Sequence, residues 1–289
     1  MIIESFNLKA VTLGHLSIAR LDLNDRFVSG NKMYKIRPWI DRAVDSNCGL
    51  LSCGGAWSNH LYALAAAGQQ KGVRTAALVR GLETHKLTPT LVDCQRWGMQ
   101  LITVSREDYQ RRYEPDFAQS YLADLDFPAV WVPEGGTGPE AVSACEDIGK
   151  ALNQRLSQGY AFDALWLAVG SGGTLAGISR SLDRRVQIFA VPVMGHFEDI
   201  KWRVAQLASG SADRIHWVGD AAFGGFGRAN QRHQHFLRLL DEQSAVPFDP
   251  VYTSKVLHRL ILARQAGEYT GQQPLLLHSG GLQGCRSRI

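Results

Sequence analysis

Lys32 follows Gly30-Asn31 directly in the stretch SGNKMYKI, residues 29–36, and a second lysine, Lys35, lies three positions on. A lysine amine attacks a carbonyl or takes a proton only when neutral, and burial at a cleft favours the neutral form. Alone, the stretch reads better as a solvated basic turn. The second chemical signal is AVGSGGTLAG, residues 168–177, set between an apolar run and a helical pattern. Gly170, Gly172 and Gly173 allow backbone N–H groups to face one point, while Ser171 and Thr174 add hydroxyls. The helix that follows adds the positive end of its dipole, so the loop suits a phosphate. It does not suit a dinucleotide: the sixth position counted from Gly170 is Leu175, and the strand VQIFAVPV ends without a ribose-binding acid. No lysine follows as a P-loop requires, so a small mono-phosphorylated cofactor fits better. In GGAWSNH, Ser58, Asn59 and a helix N-terminus could hold a carboxylate, or Ser58 could simply cap the helix. FDPVYTSK and LLLHSGG contribute Tyr252, Thr253, His278 and Ser279 in turn-rich stretches.

Positioning these residues takes an alternation of strands and helices. GLLSC, VRTAALV, QLITV and AVWV are short apolar runs separated by the helical stretches SNHLYALAAAGQQKG and LTPTLVDCQRWG. Ser58 is the expected start of the first of these helices and Gly72 its stop. After a long helix at about 138–158 come DALWLAV, the glycine loop, TLAGISRSL and VQIFAVPV. The pattern predicts parallel βαβ units and an α/β fold. The long helix is expected to bridge two α/β halves. The smaller is residues 45–150, and the larger, cofactor-binding half combines 1–44 with 151–289. Residues 29–36 then fall near the junction, where ligand clefts form.

Bulk properties exclude other classes. The chain has 289 residues, 45% apolar and 20% charged, with a net charge of +4. Its basic residues are scattered with no interleaved aromatic tract, which argues against nucleic-acid binding. No apolar run approaches the roughly 18 residues of a membrane span. The opening MIIESFNLKAVTL shows no basic-then-apolar leader, so a cytoplasmic protein is expected. Five scattered cysteines form no metal spacing and fit reduced thiols, so no metal site is expected. His233 and His235 fall in the polar run RANQRHQHFLRLLDE, which reads as the wet face of a helix.

SGNKMYK, GGAWSNH, PEGG, GSGGTLAG, GGFG, DPVYTSK and HSGG occur in the order of one family. Over nearly its whole length the chain resembles the fold-type II pyridoxal-phosphate enzymes, specifically the D-cysteine desulfhydrase and 1-aminocyclopropane-1-carboxylate deaminase group. The resemblance implies two open parallel-sheet α/β domains, as in the tryptophan synthase β-subunit, with pyridoxal 5'-phosphate in the cleft between them. It implies a homodimer acting on a small amino acid. Lys32 would form the Schiff base and act as base at the α-carbon. Lys35 would support charge balance or packing. The loop Gly170-Ser171-Gly172-Gly173-Thr174 would hold the phosphate. Ser58, Asn59 and His60 would meet the substrate carboxylate and the cofactor's phenolic oxygen, Tyr252 would lie beside ring or substrate, and Thr253 would face the pyridine nitrogen. Lys32, Ser58 and Tyr252 are the catalytic candidates.

The deaminase branch carries a glutamate where this chain has Thr253, a glutamine where it has His60, and a tyrosine where it has Phe226 in the substrate pocket. Met33-Tyr34 replaces a Thr-Arg pair, and TSK replaces Thr-Gly-Lys. A carboxylate at the ring nitrogen would keep it protonated, whereas a threonine hydroxyl makes a weaker electron sink. Eliminating a good β-leaving group needs less carbanion lifetime than opening an unactivated three-membered ring. The expected activity is therefore D-cysteine desulfhydrase-like, giving pyruvate, ammonia and sulfide. The alternatives are 1-aminocyclopropane-1-carboxylate deamination to 2-oxobutyrate and ammonia, and non-catalytic cofactor binding.

Overall fold

Apolar runs of four to six residues alternate with amphipathic helices, and the chain folds them into two sheets with helices on both faces. A computed structural model describes residues 1–9, 14–82, 86–194, 197–219, 223–225 and 227–288. The first half contains β1 (Ile2–Ser5), β2 (Ser17–Arg20), α1 (Asn31–Asp45), β3 (Gly49–Gly54), α2 (Asn59–Lys71), β4 (Thr75–Arg80), α3 (Pro89–Arg96), β5 (Gln100–Val104), α4 (Arg106–Gln110), α5 (Gln119–Ala123) and β6 (Ala129–Val132). The second contains α6 (Pro139–Ser157), β7 (Ala164–Val169), α7 (Gly173–Ser181), β8 (Gln187–Pro192), α8 (Phe197–Leu207), β9 (Ile215–Trp217), α9 (Gln231–Gln243), α10 (Thr253–Gln265) and β10 (Pro274–His278).

The smaller sheet has the order β5-β4-β3-β6 and is parallel throughout. The larger sheet has the order β1-β2-β10-β7-β8-β9, parallel except for the antiparallel β1–β2 pair at its edge. Helices cover both faces, which is why β3 and β7 read as continuous apolar runs with no alternation. On one face of the larger sheet, Val142 and Ile148 of α6 and Leu175 and Ile178 of α7 pack with Leu165 and Leu167. On the other, Phe236 and Leu240 of α9 and Val256 and Leu260 of α10 pack with Trp166 and Leu276. Ile36, Trp39 and Ile40 of α1 share a core with Leu61 and Leu64 of α2 and with Leu50 and Ala77 of the smaller sheet. Leu51, Leu78, Tyr109 and Phe117 fill the opposite face. Thus α1 packs on the smaller sheet while its first turn reaches the larger one, and α6 packs on the larger sheet.

The ends of α2 are where the sequence puts them. Ser58 caps the helix by accepting from Leu61 N, and Gly72 ends it at φ 67°, a left-handed conformation that glycine adopts without strain. DPVYTSK differs from its turn-rich reading, because α10 already begins at Thr253. The wet-face reading of α9 holds for His235, which is exposed, but fails for His233, which is fully buried. His233 Nδ1 lies 2.9 Å from His258 Nδ1, and Phe223 stacks on both rings. The packing of α9 on α10 buries it, a tertiary event that the polar neighbours of His233 conceal. No described helix is long and apolar enough to cross a membrane.

Candidate active site

A cavity of about 610 Å³ opens where both sheets present the carboxyl ends of their strands, the usual ligand position in open α/β proteins. Lys32, Ser58, Asn59, Gly170, Ser171, Gly172, Thr174 and Tyr252 line it together, although they come from four distant stretches of chain.

Gly30 makes the placement of Lys32 possible. It sits at φ 72°, and a Cβ there would fall 1.9 Å from Ser279 O. Only glycine lets the start of α1 lie so close to the turn after β10. Asn31 N donates to Ser279 O over 3.1 Å, and Asn31 Nδ2 donates to Thr174 Oγ1 over 2.8 Å. SGNK, HSGG and GSGGT are therefore one assembly. Lys32, the second residue of α1, is half-buried at the cavity wall. Burial pulls its amine down to about 8, against the opposing pull of Cys145 and Glu134.

The glycine loop joins β7 to α7. Gly172 has φ 90°, and a Cβ there would lie 2.5 Å from Val204 Cγ2 on α8, so conformation and space both require glycine. Gly173 starts α7 and does not line the cavity. Lys35 is the residue here whose role the sequence did not disclose. It is 1% exposed, and its Nζ donates to Ser171 Oγ over 2.9 Å and to Thr137 Oγ1 over 2.7 Å. Burial, and then the neighbouring Lys32, push its amine well below the usual lysine range. A buried cation carrier at the hydroxyl of a glycine loop is what a phosphate requires. The i, i+3 spacing from Lys32 was the available signal, since it puts both amines on one side of α1.

Ser58 lines the cavity while its Oγ caps α2, and Asn59 Oδ1 accepts from Gln283 Nε2. His60 is turned toward Ser52, with Nε2 2.8 Å from Ser52 Oγ. That hydroxyl donates to Val132 O over 2.8 Å, so it accepts from His60, which fixes the Nε2–H tautomer. Burial, then Lys32 and Lys35, hold the imidazole well below its ordinary pKa and keep it neutral. Its Nδ1 is a buried acceptor without a partner among the described residues. A neutral ring with its one N–H committed to Ser52 has no donor left for a carboxylate.

Tyr252 stands just before α10, and a Cβ on Gly170 would lie 3.4 Å from its Cε1. Its hydroxyl pKa is raised, first by burial and then by Asp249 and Glu134. Thr253 is fully buried behind the cavity wall, and its Oγ1 has no hydrogen-bond partner among the described residues. Asp249, unremarked in the sequence, accepts the N–H groups of Val251, Tyr252 and Thr253 at 3.0, 2.6 and 2.8 Å. It shapes this turn. Phe226 lies outside the described residues.

The lysine-bearing cavity, the glycine cradle backed by Lys35 and the unpartnered Thr253 hydroxyl fit a phosphorylated pyridine aldehyde. The chain belongs to the pyridoxal-phosphate dependent enzyme family, whose model matches residues 20–280. It is 27% identical to the mitochondrial bifunctional D-cysteine desulfhydrase/1-aminocyclopropane-1-carboxylate deaminase of Arabidopsis thaliana, over 99% of this chain and 77% of that protein. It is 25% identical to D-cysteine desulfhydrase of Salmonella choleraesuis, over 91% of this chain and 86% of that one. A crystal structure of an ACC deaminase homologue matches in fold with a TM-score of 0.81 at 21% identity, covering 98% of this chain and 90% of the other.

Proposed function

We propose that the chain carries out a D-cysteine desulfhydrase-like β-elimination on a small amino acid, releasing pyruvate, ammonia and sulfide. When bound, pyridoxal phosphate supplies an electron sink for the pair left at the amino acid's α-carbon. The Gly170–Thr174 loop and Lys35 would hold its phosphate, and Lys32 its aldehyde carbon. With its amine near 8, Lys32 has a substantial neutral fraction at mildly alkaline pH and takes the α-proton. Ser58 and Asn59, at the positive end of α2, orient the substrate carboxylate. His60 positions the α2 start through Ser52. Tyr252, with its raised pKa, stays protonated and donates a hydrogen bond to the leaving group.

One observation carries the choice of elimination. The start of α10 offers the uncharged Thr253, and the nearby carboxylate, Asp249, is already engaged by three backbone N–H groups. No carboxylate is left there to keep a ring nitrogen protonated, so carbanion stabilisation is modest and a good β-leaving group is favoured. The Arabidopsis relative's double name supports a second reading, 1-aminocyclopropane-1-carboxylate deamination to 2-oxobutyrate and ammonia. Supplying the cofactor-loaded protein with D-cysteine, β-chloro-D-alanine and aminocyclopropane-carboxylate side by side tests both. Pyruvate should form faster than 2-oxobutyrate, and the reverse order would refute the reading from Thr253. By resemblance to its family the protein is a homodimer, and a monomer by light scattering at micromolar concentration would contradict that.

A further inference from the structure

Three arginines line the mouth of the active-site cavity: Arg80 at the end of β4, Arg112 between α4 and α5, and Arg203 on α8. They alternate with two tyrosine rings. Arg80 lies 5.5 Å from the Tyr109 ring centre and Arg112 4.7 Å from the same ring, while Arg112 and Arg203 lie 4.3 and 4.7 Å from Tyr113. The ladder runs from the smaller sheet to a helix of the larger one. Beside it, Glu134 accepts from Tyr109 Oη at 2.6 Å, Arg112 Nε at 2.7 Å and Tyr113 Oη at 2.8 Å. Burial opposes its charge, but these bonds prevail and hold Glu134 below the usual carboxylate range.

Glu134 thus answers Arg112. Neither Arg80 nor Arg203 forms an ion pair or hydrogen bond with the described residues. Asp199, one turn before Arg203, and Asp249 also line the cavity, but Asp249 is engaged by the backbone N–H groups of Val251, Tyr252 and Thr253. Stacking on a ring orients a guanidinium but leaves its N–H edge for an oxyanion. We propose that this arginine–tyrosine ladder is an anion subsite for a second negative group on the substrate's β-substituent. The cavity would then prefer β-substituted alanines ending in a carboxylate, sulfonate, sulfate or phosphate over a bare thiol. The proposal rests on reading the cavity as an amino-acid site, with the α-carboxylate at Ser58 and Asn59. For X–CH2–CH(NH3+)–COO−, the α-proton passes to Lys32 and the Cβ–X bond breaks with its electron pair on X. One water then converts the three-carbon remainder to pyruvate and ammonium. X departs toward Arg80 and Arg203, which stabilise its growing charge.

The test is a titration of the cofactor-loaded protein, followed by cofactor absorbance. The probes are aspartate against asparagine and glutamate against glutamine, in both enantiomers, since each pair differs by one charge at nearly constant shape. In at least one pair the charged member should bind about tenfold tighter or better, and the ratio should shrink with added salt. Arg80→Gln with Arg203→Gln should bring the ratio to about one, and Arg→Lys at both positions should restore part of it. Equal affinities within every pair in the parent protein would overturn the subsite and leave the amino-acid reading intact, as would a ratio unchanged in the folded double variant. If the double variant does not fold, the parent ratio and its salt dependence decide. If no amino acid, charged or neutral, perturbs the absorbance, the amino-acid reading falls and the subsite with it.

Discussion

Lys35 Nζ donates to Ser171 Oγ across 2.9 Å and so joins the first helix to the glycine loop after β7. In the cofactor-free chain this amine is buried and well below its usual pKa. A phosphate at the loop would favour its charged form, so cofactor binding should take up a proton and weaken as pH rises above the lowered pKa of the free amine. Replacing Lys35 with Met should raise the dissociation constant for pyridoxal phosphate by about tenfold or more and flatten that pH dependence. Equilibrium titrations from pH 7 to 9 check both. An unchanged constant would make Lys35 a packing residue.

Gly172 has no room for a side chain. Gly172→Ala would put a Cβ 2.5 Å from Val204 Cγ2 at a φ of 90°. It should cost about 1–3 kcal/mol of stability and release cofactor more readily on dialysis. Full stability with full retention would show that α8 yields at no cost.

Thr253→Val separates the stability of the fold from function. The hydroxyl has no described partner, so removing it should leave the melting temperature of the cofactor-free protein unchanged or slightly higher. Turnover of the loaded enzyme should nevertheless fall several-fold. A drop in both would mean that the hydroxyl is held by the fold and not kept for a ligand.

His258, packed against His233, makes a pH signature. Burial lowers His258 to about 4, so between there and 6.5 the unfolded chain binds the proton that the folded chain refuses. Stability should therefore be full above 6.5 and fall toward pH 4, by about 3 kcal/mol from this group. His258→Phe, stacked between Phe223 and Phe236, should flatten that limb of the denaturation curve. An unchanged slope would place the acid sensitivity elsewhere.

Motif order made the family and the α/β layering legible, because glycine loops between apolar runs and helices have few other uses. Features that depend on two distant segments were hidden. His60 follows Ser58 and Asn59 directly and also lines the cavity, yet one residue farther around α2 its Nε2 is committed to Ser52 of β3. Lys35, expected to support charge balance or packing, gains its particular partners only when α1 is laid against Thr137 and Ser171. The ladder of Arg80, Tyr109, Arg112, Tyr113 and Arg203 has no sequence period, since the end of β4, α4, the turn after it and α8 supply it.

Three lysines with lowered pKa values compete for the central role. Lys35 is tied to Ser171 and Thr137, and Lys255, brought down to about 8 by burial, donates to Gly225 O over 2.9 Å. Lys32 lines the cavity beside the glycine loop. The most direct measurement is borohydride reduction of the cofactor-loaded protein followed by peptide mass spectrometry. The pyridoxyl group should be found on Lys32 and vanish in Lys32→Ala, and a label on Lys35 or Lys255, or none at all, would contradict the account.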